Sequence, residues 1–255
     1  MENINVREGE VEKHASFSYT SKKLKTFAIY NIIAAVAIIL MAVAIGLFGF
    51  ASQKYGLDSM FGEEGTQGAL AMIIFAIFGV SIVLVAVGGI GGFFTKRALA
   101  CVNSNLAAVW SSTKKKLIAN TANTVANSIL KDGILKDSAN AVNSVYQTYQ
   151  AYKIRKNIIA GINIELERAN VPDAKERGKA AFFSMIISTI LMLAVALVGT
   201  AIIVKNANVE GYPTDLYAAW ISYFFAGLLL ASLIDVAIFN AYLLKASKDL
   251  SLAKE

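Results

Sequence analysis

The sequence predicts an all-α, polytopic membrane protein with four transmembrane helices and a long helical-hairpin insert between the second and third. Three observations predict it. Only 16% of the residues are charged and 56% are hydrophobic, with a mean hydropathy of +0.55, whereas a soluble domain carries about 25% charged residues. The apolar residues are concentrated in four blocks instead of being spread through amphipathic elements. Two prolines against 18 glycines suit long helices with few breaks.

Each block is long enough to cross a hydrocarbon layer of about 30 Å, which takes about 20 apolar residues. Residues 27–50 carry no charge, and Asn31 is their one strongly polar side chain. Residues 69–94 and 180–204 are uncharged, and 216–244 contain a single charge, Asp235. The first block is too long for the roughly 7–15-residue core of a signal peptide, and acidic residues precede it, so it reads as a retained anchor. The chain therefore divides into an N-terminal segment (1–26), a first transmembrane hairpin (27–94), the insert (95–179), a second hairpin (180–244) and a C-terminal tail (245–255).

Loop charge sets the expected orientation. The 51–68 connection holds one basic residue, Lys54, and the 205–215 connection also one, Lys205. All other Lys and Arg fall on the opposite side, many beside span ends: Lys96 and Arg97, Arg177 and Lys179, Lys245 and Lys248. By the positive-inside rule both termini and the insert face the cytoplasm. Trp220, Tyr217 and Tyr212 cluster at the other interface as an aromatic belt. The expected location is the plasma membrane. The two halves share an outline, two spans joined by a short acidic loop.

Residues 95–179 are too polar to span. Leu99, Val102, Leu106 and Val109 recur at spacings of three and four, as do Val142, Val145, Tyr149 and Tyr152, then Ile159, Ile162 and Leu166. That pattern predicts two helical arms, with the turn near Asp132-Gly133 and Asp137-Ser138 and the second arm ending at Pro172. An arm of about 35 residues growing straight out of a span would reach about 50 Å. Asn103, Asn120, Asn123, Asn127, Asn140, Asn143 and Asn163 lie on or near the seam. Asparagine is a poor interior helix former but fixes register and oligomeric state when buried, which hints at a protein partner.

Several chemistries are excluded from expectation. One cysteine, Cys101, supports neither a disulfide framework nor a multi-cysteine zinc site, and one histidine, His14, removes the commonest metal ligand and general base. No catalytic, cofactor-binding or metal-binding set is legible, and no enzyme is expected. Gly88-Gly89-Ile90-Gly91-Gly92 has the outline of a phosphate-binding turn. The dinucleotide pattern, however, needs a glycine where Phe94 stands, and the context is a span. Gly88 with Gly92, and Ala42 with Gly46, instead suit close helix packing.

Asp235 is the main intramembrane polar candidate, with Asn240 and Asn31 as further polar positions; an ionisable residue in a span often marks a pathway or a buried pair. Lys114, Lys115 and Lys116 suit contact with anionic headgroups, each worth about 1 kcal/mol near such a surface. A straight stalk would hold them beyond a Debye length. The basic excess follows from membrane orientation, so nucleic acid is not an expected partner; lipids, other membrane subunits or further copies of the chain are. The expected function is a non-enzymatic accessory, scaffold or self-associating membrane protein, and the alternative is an oligomeric channel or transporter component using Asp235.

Overall fold

The computed structural model describes residues 16–56, 66–129, 153–207 and 213–253. Among the described residues there are six helices and no strand. They are α1 (Phe17–Tyr55), α2 (Thr66–Leu99), α3 (Ser104–Ile129), α4 (153–168), α5 (Ala174–Ala207) and α6 (Thr214–Leu252). Four helical stretches are long and apolar enough to cross a membrane: Phe17–Tyr55, Gly68–Leu99, Ala174–Lys205 and Thr214–Leu252. Each extends beyond the apolar block that predicts it. The expected hairpin turn at 132–138, the asparagines at 120–143, Tyr149, Tyr152 and Tyr212 lie outside the residues whose side chains are described.

Local chemistry explains the helix ends. Ser16 caps α1: its Oγ accepts from the Tyr19 amide at 3.2 Å. Gly56 ends the same helix, its N–H donating to the Ser52 carbonyl at 3.0 Å with φ at 77°, a conformation that costs glycine nothing. After α4 the chain closes with paired bonds, Val171 N to Leu166 O and Asn170 N to Glu167 O, both 2.9 Å. Asn170 holds the left-handed position at φ 52°. The second arm thus stops before Pro172, on an asparagine cap.

The chain clusters into two compact units. The first comprises the described residues of Met1–Lys25, Phe93–Gly178 and Ala246–Glu255. Its core contains Leu24, Leu99, Val102, Leu106, Ile158, Ile162 and Leu166, all buried. Ser21 and Ser247 bond reciprocally, each Oγ donating to the other's carbonyl at 2.7 and 2.9 Å, and Arg177 pairs with Asp249 at 2.7 Å.

One feature of this unit corrects the straight stalk. The chain turns at 100–103 between α2 and α3. The rings of Phe93 and Trp110 then meet at 4.7 Å between centroids, although a continuous helix would separate them by about 25 Å. The first arm doubles back along the end of α2.

The second unit comprises the described residues of Thr26–Gly92 and Lys179–Lys245, drawn from α1, α2, α5 and α6. Ala44, Ala51 and Ile74 form a small core with Leu47, Phe48 and Leu70 around it. Hydroxyls here turn inward on their own helices: Ser81 donates to the Ile77 carbonyl and Ser222 to the Ala218 carbonyl, both at 2.7 Å. A bond to the preceding turn satisfies the donor where water is absent.

Candidate functional site

Asn103 is the joint on which the first unit turns. Its Oδ1 accepts from the Leu106 amide at 3.1 Å, capping α3. Its Nδ2 donates to the Gly161 carbonyl and to Glu165 Oε1, both at 2.9 Å. One side chain thereby ends a turn, starts a helix and fixes that helix to α4. Gly161 permits the approach, because a Cβ there would lie 2.6 Å from Leu106 Cγ. Glu165 is fully buried and is further held by Arg168 at 2.5 Å, whose guanidinium lies over the Phe17 ring at 5.2 Å. Burying a carboxylate is costly unless it is paired and hydrogen-bonded, and here it is both.

The doubling back of α3 splits the Lys114-Lys115-Lys116 run by the 100° step between helical neighbours. Lys114 lies over the Trp110 ring at 5.7 Å, Lys115 is exposed, and Lys116 turns inward. Lys116 continues the packed stripe of Leu106, Val109 and Thr113. Arg155 likewise precedes Ile158, Ile159 and Ile162 on the packed face of α4, and Lys96 sits between buried Thr95 and Leu99 on α2. All three cations are half-buried and within electrostatic reach of one another. Partial burial, and then the charge of Arg155, hold the Lys116 ammonium below the usual lysine range.

Asp235 lies half-buried on α6 and its Oδ2 accepts from Thr189 Oγ1 on α5 at 3.1 Å. Asn240 is buried on α6 and Asn31 half-buried on α1. Five residues separate Asp235 from Asn240, about 140° around the helix, so the two do not share a face. Of the small residues, Ala42 is buried. Gly88 sits tightly under α1, where a Cβ would lie 3.0 Å from the Tyr30 carbonyl and 3.1 Å from Ala34 Cβ. The companion close approach falls at Gly91, which abuts the Tyr30 ring, while Gly92 makes only ordinary contact with Phe27 at 3.7 Å. Gly46 faces open space within the chain. The tight position on α1 is Gly49, where a Cβ would meet Ser222 Cβ at 2.8 Å.

Sequence reasoning named Lys116 but not its companions. Lys96 carried no signal beyond span-flanking charge, Arg155 was not singled out, and Asn103 appeared only as one of many seam asparagines. Among the described residues no three His, Cys, Asp or Glu side chains gather as a metal site.

The fold defines a helical membrane protein with four helices long enough to span. Compared with protein families, curated proteins and solved structures, the chain matches none.

Proposed function

We propose that the chain is a non-enzymatic interaction protein of the plasma membrane, an accessory, scaffold or self-associating subunit with both termini and the insert in the cytoplasm. The observation that carries the reading is α5. None of its most apolar stretch is buried, whereas about a fifth of the corresponding stretch of α1 is. Leu191, Leu197, Val198 and Ile202 all point outward, Leu197 with 73% of its surface exposed. An outward face this apolar, left uncovered by its own chain, is matched to lipid or to a second protein. Gly46, Gly79, Gly89 and Gly227 add to this: each lies within a spanning helix with nothing within 4 Å of where a Cβ would stand. Glycine gains nothing at such a position unless another helix approaches closely.

The channel alternative rests on Asp235. Its bond to Thr189 gives that carboxylate a local structural task, tying α5 to α6, and favours the interaction reading. The test is extraction in mild detergent through a C-terminal tag, followed by the mass of the intact assembly and identification of its members. A homo-oligomer or stoichiometric foreign subunits are expected; a lone, partner-free chain would remove the reading's support.

A further inference from the structure

We infer that α3 lies along the cytoplasmic surface of the bilayer and docks there through Trp110, Lys114, Leu117 and Ile118, on a leaflet rich in anionic lipid. That placement rests on α2 as a spanning helix and on the cytoplasmic side proposed above for the insert, and it needs no protein partner. Phe93 lies in the last turn of the apolar block 69–94, so its ring marks the inner edge of the hydrocarbon. From Phe93 to Leu99 α2 advances about 9 Å, and from Ser104 to Trp110 α3 covers the same distance. The two rings then meet at 4.7 Å. Trp110 has therefore returned to the depth of Phe93, the level at which indoles gather at a membrane interface. Beyond it, Ser111, Ser112, Thr113 and three lysines bar α3 from the hydrocarbon, which leaves it the plane of the headgroups.

The side chains that α3 shows to that plane suit it. Trp110, Lys114, Leu117 and Ile118 follow one another at four, three and one residues, within one side of the helix. Lys114 stands over the Trp110 ring at 5.7 Å. Phe94, edge-on to Phe93 at 5.8 Å, is exposed beside the pair. Leu117 and Ile118 are exposed too, Ile118 with 69% of its surface, where a helix in open water carries polar residues. Lys114 is one turn from Trp110, about 6 Å, inside a Debye length of about 8–10 Å. A basic residue that close is drawn to an anionic leaflet, and apolar side chains beside it to the acyl boundary beneath.

The experiment measures depth in the full-length chain, carrying Trp220→Phe and reconstituted in vesicles of equal parts phosphatidylcholine and phosphatidylglycerol. Quenching by nitroxide-labelled lipid is compared with quenching by aqueous iodide. The reporters are Trp110 and, in a Cys101→Ser background, a nitrobenzoxadiazole label on Leu117→Cys, Ala108→Cys or Val83→Cys. Ala108 is exposed on the opposite side of α3 from Leu117, and Val83 is exposed within the span. Trp110 and the Leu117 label are quenched by lipid and shielded from iodide, and the Ala108 label shows the reverse. Lys114→Gln lowers the docked-to-undocked ratio at Leu117 about fivefold, the worth of one basic residue at an anionic surface, and Lys114→Arg retains it. A Leu117 label no more lipid-quenched than the Ala108 label overturns the inference. So does a Leu117 label shielded from both quenchers, since that outcome places protein over the face. A Val83 label that lipid does not quench removes the spanning of α2 itself, and the inference with it.

Discussion

Replacing Asn103 by alanine removes three interactions at once, and the geometry gives each a size. The α3 cap, held at 3.1 Å, is worth about 1 kcal/mol. The Gly161 carbonyl and Glu165 Oε1 each lose a donor at 2.9 Å in a buried place, at about 1–3 kcal/mol per unsatisfied group. Arg168 stays on Glu165 and limits the damage. Allowing for non-additivity, Asn103→Ala destabilises the first unit by about 2–4 kcal/mol, a melting shift of about 6–12 °C for a chain of this size. The assay is thermal unfolding in detergent followed by Trp110 fluorescence in a Trp220→Phe background, because the Trp110 ring packs on Phe93 within the same unit. Asn103→Ser, which keeps the cap, falls between wild type and alanine. Asn103→Asp also keeps the cap acceptor but sets a second carboxyl against Glu165. The folded state raises the pKa of the introduced carboxyl, so the variant is least stable at neutral pH and recovers as pH falls through that raised value, where the protonated group donates. Asn103→Ala within about 2 °C of wild type would refute the claim that this residue holds the turn, on the scale set by a single lost cap.

Other expectations follow from the remaining geometry. Gly49→Ala costs about 1–3 kcal/mol by forcing Cβ against Ser222 and the Ala219 carbonyl, while Gly46→Ala, with no neighbour in its own chain, is neutral or stabilising by up to about 1 kcal/mol for the dissociated chain in detergent; equal melting shifts there would contradict the assignment of Gly49 as the tight position. Cys101 is the sole cysteine and exposed, so in right-side-out membrane vesicles an impermeant thiol reagent labels it only after permeabilisation. Labelling in sealed vesicles would reverse the proposed orientation. Thr189→Val and Asp235→Ala each lower stability in detergent by about 0.5–1.5 kcal/mol, the range for polar contacts between spanning helices, and the double variant costs little more than either single one. Fully additive losses would mean that the bond between them contributes nothing.

The four long helices were legible because each needs only its own run of apolar residues, and nothing distant decides them. The break between α2 and α3 was not. Leu99, Val102, Leu106 and Val109 read as one unbroken stripe, and all four are indeed buried. What interrupts them is Asn103, whose partners Gly161 and Glu165 lie 58 and 62 residues away. For the same reason the lysine run gave no sign of which member turns inward. That depends on how the doubled-back helix packs, which residues distant in sequence decide. Pro172 correctly signalled a stop, but the cap is made at Asn170, whose left-handed backbone leaves little trace in composition. Among the glycines, spacing alone suggested Gly88 with Gly92. The ring of Tyr30, which no spacing rule includes, makes Gly91 the close neighbour.

The interaction reading rests on the outward face of α5, and photocrosslinking from that face in native membranes tests it most directly. A photoreactive side chain at Leu197 or Leu191 should yield a discrete higher-mass protein adduct, either a second copy of the chain or a subunit that also appears after mild extraction. Adducts with lipid alone from both positions would contradict it, and α5 would then be a helix matched only to the bilayer.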